Sequence, residues 1–207
     1  MNDLSTADIA ASRGPGRPRS FDMEAALDKA IVAFSERGYH AASIAELTSA
    51  MELTPGSVYK AFGDKKGVFL AAFDRYKSVR NALRDGAVGK GANGRDKLRR
   101  LLQFYADASC GEEGLRGCLV VGTATELAIA DDEAAERVRR SMAATEAYVF
   151  DLIGEGREDG SIAPSIDGRA TARLMVSILQ GMRLVGKAGR SREEMTSMVE
   201  AAMRLFD

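Results

Sequence analysis

Within seven residues the chain gathers Thr54, Ser57, Tyr59 and Lys60, which together supply hydroxyl donors and acceptors, one aromatic ring and one cation. If Thr54 caps a helix with Pro55 at its first position, where the missing N–H costs nothing, Val58, Ala61 and Phe62 fall on one side. Gly56 and Lys60 then point the opposite way, flanked by Ser57 and Tyr59. That outer face is slim enough to enter the groove of a duplex, with hydroxyls for base edges and a cation for phosphate or guanine. Asp64 opens another helix at once, so Lys65 and Lys66 sit by the positive end of its dipole, which suits a phosphate. Ser43 offers a similar N-terminus one helix earlier. Upstream, Arg13, Arg17 and Arg19 are spaced by Gly and Pro with no acid between them, an extended cationic arm that fits a narrow A·T-rich minor groove. The plain alternative for the arm is a solvated basic tail.

Other chemistry has few residues to work with. The single His40 follows the first helical stretch and reads as a turn residue, and two Cys with one His cannot furnish a Cys/His zinc site. No catalytic group, metal ligand or cofactor is expected, and the chain does not read as an enzyme. Cys110 and Cys118, with Arg116 nearby, admit a redox or electrophile sensor, although buried inert thiols are commoner. So few cysteines fit a reducing cytoplasm. Residues 1–19 lack an apolar signal region and the most apolar run, 118–130, is too short to span a bilayer, so no membrane association is expected. The 207 residues carry 29 Lys+Arg against 30 Asp+Glu, a net charge of −1. A diffuse basic field is thereby excluded, and any attraction for a polyanion must be local.

These residues need a helical scaffold, and apolar spacing is helical almost throughout, with no convincing two-residue alternation. The fold expected is all-α: an N-terminal three-helix unit containing a helix-turn-helix, then a larger helical domain. Residues 1–20 form a flexible basic arm, 21–67 the three-helix unit and 68–207 the second domain. The first helix runs from Asp22 to Arg37 and ends at Gly38, and Ser43 with Glu46 makes a capping box for the second. Beyond the helix begun by Asp64, 86–94 reads as a flexible connection. Four or five further helices are expected over about 96–109, 115–130, 132–158, 168–187 and 192–206.

Residues 34–73 resemble the DNA-binding domain of the TetR family of bacterial transcriptional regulators, through Gly38-Tyr39, Ser43-Ile44, Leu47, Leu53-Thr54, Gly56, Tyr59, Phe62 and Lys65. The run 61–65 is especially close to one branch, and 117–126 and 179–188 resemble it more weakly. The resemblance implies that Ser43, Tyr59 and Lys65 meet phosphate and that Thr54, Ser57 and Lys60 meet bases or backbone. Three positions depart from the pattern: Thr48 replaces a small Ala, Ala61 an aromatic or His, and Glu52 a Gly, which puts a strained left-handed backbone at Glu52.

The same resemblance implies a homodimer on a palindromic double-stranded DNA operator, most often as a repressor, released by a small-molecule effector. Leu174, Ile178, Gly181 and Val185 form one late stripe and Met195, Val199, Ala202 and Phe206 another. Both are either core or, as the resemblance implies, a four-helix interface between copies. An effector cavity is expected among Phe104, Tyr105, Leu119, Val120, Thr123, Glu126, Leu127, Met142, Tyr148 and Leu152. Glu126, a carboxylate in an apolar helix, is expected to pair with an Arg. Two rival readings remain: an all-α adaptor whose helix-turn-helix is only structural, and a small helical enzyme using Glu126.

Overall fold

The computed structural model describes residues 22–207, so the arm with Arg13, Arg17 and Arg19 lies outside the described residues. Ten α-helices follow in order among them: α1 Met23–Ala41, α2 Ile44–Ala50, α3 Pro55–Phe62, α4 Lys65–Val88, α5 Gly94–Asp107, α6 Gly111–Arg116, α7 Leu119–Glu126, α8 Asp132–Glu158, α9 Gly168–Gly186 and α10 Arg192–Met203. A single 3₁₀ turn, Arg204–Phe206, closes the chain. No helix among the described residues is long and apolar enough to cross a membrane.

The local signals work as expected near the N-terminus. Asp22 caps α1, Ser43 and Glu46 close the capping box of α2, Thr54 caps α3 ahead of Pro55, and Asp64 caps α4. Gly38 at φ 81° breaks the helical path inside α1, and Glu52 takes φ 57°, the strained turn its sequence position announced. Thr48 is buried and turns its hydroxyl onto the Ala45 carbonyl at 2.9 Å, so it fits where a smaller residue would. Phe34, Leu47, Val58, Phe69 and Phe73 form the heart of this head.

The rest differs in three ways. The connection expected over 86–94 is shorter, confined to 89–93, because α4 continues to Val88 and Asn93 caps α5. The helix expected over 115–130 is two, broken where Gly117 takes φ 91°. The third is a correction to the interface: Met195, Val199, Ala202 and Phe206 are fully buried inside one chain, where α10 packs on α5 among Leu98, Leu101 and Leu102. That stripe satisfies its apolar surface internally and has none left for a partner. Of the α9 stripe, Leu174 stays 47% exposed while Ile178 and Val185 lean on the core and Gly181 has open space beside it.

Head and body are not separate cores. The head cluster takes in Leu119, Val120 and Leu127 around α7 and Ala134 and Val138 of α8. Ion pairs reinforce the joint: Arg75 of α4 holds Asp28 and Glu24 of α1 at 2.8 Å, and Lys66 holds Asp131 and Glu133 at 2.7 and 2.8 Å.

Candidate nucleic-acid interface and effector cavity

The α2–turn–α3 unit presents one coherent outer face. Val58 is buried against the head core, which fixes the rotation of α3 and turns Thr54, Gly56, Tyr59 and Lys60 outward. Tyr59 is 50% exposed, its ring and hydroxyl on the outer face of α3. Lys60 makes no hydrogen bond or ion pair with the described residues. Thr54 accepts the Ser57 amide at 3.2 Å, and the two hydroxyls lie 2.9 Å apart, so each holds the other's rotamer.

Three basic or hydroxyl groups expected to meet phosphate are already engaged. Lys65 turns inward: its ammonium donates to the carbonyls of Tyr39 at 2.9 Å, His40 at 3.4 Å and Ala42 at 3.0 Å, and stands 4.4 Å over the Tyr39 ring. It therefore caps the end of α1, and its three donors are not free to extend to a phosphate. Lys66 is neutralised by Asp131 and Glu133, which hold its pKa well above the ordinary lysine value, the hydrogen bond to Asp131 being the largest cause. The Ser43 hydroxyl donates to Glu46 at 2.8 Å, placing a carboxylate where an anion was expected, while Glu46 also pairs with Arg37. Hydrogen bonds from Ser43 hold the Glu46 carboxyl below its usual range.

Behind the head lie two adjoining cavities. The larger, about 120 Å³, is bounded by Phe34, Ser35, Gly38 and Tyr39 of α1, Phe69 of α4, α7 from Leu119 to Glu126, and Arg183, Leu184 and Lys187 at the end of α9. The smaller, about 20 Å³, lies between Tyr76, Lys77, Arg80 and Arg84 of α4, Phe104 and Tyr105 of α5, Val120 and Gln180. Arg183 and Cys118 belong to both walls. The expected lining is thus split: Leu119, Thr123 and Glu126 face one chamber, and Phe104, Tyr105 and Val120 the other. Leu127, Met142, Tyr148 and Leu152 line neither. Leu127 and Leu152 fill the two cores, Met142 packs on the first, and Tyr148 lies under the Arg84 guanidinium at 3.9 Å.

Glu126 pairs with no Arg among the described residues, contrary to expectation. Its Oε2 accepts the Tyr39 amide at 2.8 Å across the joint between α7 and α1. The φ of 81° at Gly38 favours glycine, and a Cβ there would lie 2.4 Å from Glu126 Oε1, so the carboxylate would have to move aside. Lys187 adds a second tie, donating to the Ser35 carbonyl at 3.3 Å.

Sequence reading overlooked Arg183, although it falls four residues after Leu179 and eight after Met175, on the buried period of α9. Only 2% exposed, it donates through Nη2 to the carbonyl freed at Gly117, at 2.7 Å, while Nε and Nη1 have no partner. Burial works against its charge, but Tyr76 and Cys118 outweigh burial and hold its pKa above the ordinary arginine value. Tyr76 donates to Cys118 Sγ at 3.5 Å, and burial foremost drives the Tyr76 pKa upward. The free thiols Cys110 and Cys118 are half-buried, and Cys110 donates to the Ala106 carbonyl at 3.2 Å.

Residues 26–72 match the family described as bacterial regulatory proteins, tetR family, and 94–202 match the tetracyclin repressor-like C-terminal domain. The chain is 29% identical to the HTH-type transcriptional repressor ComR of Escherichia coli K12 over 98% of this chain and 96% of that one. It is 27% identical to the repressor BdcR of the same organism over 92% of each. Among solved structures, a cysteine mutant of the TetR family regulator CifR in complex with a 26 bp double-strand operator DNA superposes with a TM-score of 0.83 at 30% identity, covering 92% of this chain and 100% of that one.

Proposed function

The chain belongs to the TetR family of bacterial regulatory proteins, a ligand-responsive transcriptional regulator of duplex DNA and not an enzyme, and from this we propose the residues by which it works. The outer face of α3 reads the operator: Lys60 and Ser57 meet base edges and Tyr59 a phosphate, with Thr54 holding Ser57 in place. The observation that carries this reading is the exposed pair Tyr59 and Lys60, without partners among the described residues, beside residues whose polar groups are satisfied internally. Arg13, Arg17 and Arg19 follow the adjacent minor groove. Like its repressor relatives, the protein represses until effector binds, in the cytoplasm where that DNA lies.

One protomer reads too few base pairs, and two recognition helices must be spaced by a two-fold partner. We place the partner against α8 and α9, where Phe150 (38% exposed) borders a shallow groove over Ala143, Ala147 and Ala172 with Glu146 and Arg169 in its walls, and where Leu174 is exposed on another side of α9. Helices of small residues approach closely and bury such anchors well. The head then comprises α1 to α3 with the first turns of α4, whose Val68, Phe69, Ala72 and Phe73 belong to its core. The residues beyond Phe73, rather than those from 68 onward, supply the effector and dimer domain.

The larger cavity is the effector site, since its wall includes the residues that tie α7 and α9 to the end of α1. A ligand there acts by favouring one head orientation over another. Binding of fragments selected from a genomic library, compared for wild type, Tyr59→Ala, Lys60→Ala and Ser57→Ala, tests the interface. Tyr59→Ala is expected to weaken all sites alike, whereas Lys60→Ala and Ser57→Ala reorder them. Equal losses at every site for all three would defeat the assignment.

A further inference from the structure

Arg183 is a buried guanidinium with two of its three nitrogens unsatisfied and no ion pair among the described residues. Leaving such a group unpaired is costly, and proteins that bury charge normally supply a counter-charge. The walls around it add to the imbalance. The smaller chamber carries Lys77, Arg80, Arg84 and Arg183 and no carboxylate. Glu113 takes Arg80 at 2.7 Å and Asp85 takes Arg84 at 2.8 Å, but Lys77 and Arg183 have no anionic partner among the described residues. Glu126, the one acid in either lining, is engaged by the Tyr39 amide and pairs with neither Lys77 nor Arg183. Gln180 also lines the small chamber with a buried, unpartnered Oε1, and an amide can turn to present its NH₂ instead.

We propose that the two chambers form one site for a short-chain monocarboxylate, its carboxylate held by Arg183 and its tail among Phe34, Phe69 and Leu119. A guanidinium donates charge-assisted hydrogen bonds to a carboxylate, and Nε and Nη1, on different edges of the group, each keep a donor for one while Nη2 holds the Gly117 carbonyl. The small chamber of about 20 Å³ suits a head group, and the larger one of about 120 Å³ is near the size that admits a benzene-sized body, so the fit is to roughly six heavy atoms in all. This assignment rests on the effector reading above and gives its ligand a chemical class.

Butyrate and its neutral counterpart butyramide, at equal ionic strength, separate the charge from the shape. Titration of the full chain by calorimetry, with melting curves alongside, is expected to show butyrate bound at least tenfold more tightly than butyramide. Arg183→Met should abolish that preference while melting no lower than wild type, since it removes an unpaired charge. Arg183→Lys, which keeps charge but loses the guanidinium's planar donor edges, should retain only part of the preference and guards against a misfolded Met variant. Equal binding of both probes, binding of neither, or a preference that survives in Arg183→Met would overturn the proposal. Release of selected DNA is read in the same samples. Release by both probes alike would leave the effector site standing and refute the anionic class. Arg183-dependent butyrate binding with no change in DNA affinity would do the reverse.

Discussion

Single residues divide here between those that reach outward and those that hold the outward ones in place. Lys65 belongs to the second kind, because its ammonium is committed to the carbonyls at the end of α1. Lys65→Met should therefore lower the melting temperature and DNA affinity together, whereas Lys60→Ala lowers affinity and leaves melting within about 0.5 kcal/mol of wild type. Circular dichroism melting with gel-shift titration separates the two, and an unchanged melt for Lys65→Met would return that residue to the phosphate. Gly38→Ala combines a positive φ with a Cβ 2.4 Å from Glu126. It should cost about 1–3 kcal/mol and weaken the response of DNA binding to effector, because the Glu126–Tyr39 tie must shift. A variant with wild-type stability and full response would show that the joint is slack.

At the scale of elements, α9 and α10 carry stripes of the same period and opposite fates. Met195→Ala in the core between α10 and α5 should cost about 2–5 kcal/mol with the protein still dimeric. Leu174→Glu on α9 should dissociate the dimer with little loss of helix content, as ultracentrifugation would report. A monomeric Met195→Ala together with a dimeric Leu174→Glu would put α10 back in the interface. Helix ends set the pH response. Asp131, at the start of α8, is held below its ordinary pKa by the hydrogen bond from Lys66 first and by the Ala134 and Glu133 amides after it. A depressed carboxylate contributes stability above its unfolded pKa and loses it as pH falls through the folded one. Stability should thus decline below about pH 4, and less steeply in Asp131→Asn. An identical acid slope in that variant would deny the Lys66 link its role.

For the whole molecule, the charge balance gains a spatial meaning. The first 66 residues hold eight bases and nine acids, so even the DNA-reading part is not basic in total. Of its described bases, Lys29 pairs with Glu52, Arg37 with Glu46 and Lys66 with Asp131, while Lys65 is spent on carbonyls, leaving Lys60. Affinity for arbitrary duplex should accordingly be weak, with a shallow salt dependence in which the arm has a large share. Deleting residues 1–20 removes three arginines and should reduce the slope of log affinity against log salt by about 2–3. An unchanged slope would make the arm a passive tail.

Signals carried by neighbours in sequence were legible in advance: the caps at Asp22, Ser43, Thr54 and Asp64, the all-α class and the outward face of α3 rest on contacts within a few residues, while the left-handed turn at Glu52 followed from the family pattern. A helical period likewise announced that α9 and α10 each bury a stripe. It could not say against what, because the same pattern serves an internal neighbour and a second chain equally well. Whether a charged side chain is free is decided by groups far along the chain: 65 residues separate Lys66 from Asp131, 87 separate Tyr39 from Glu126 and 66 separate Gly117 from Arg183. Only the packing of α4 against α1 and the start of α8 turned two apparent phosphate contacts into internal ties, and that of α9 against Gly117 left Arg183 as the unsatisfied charge in a cavity.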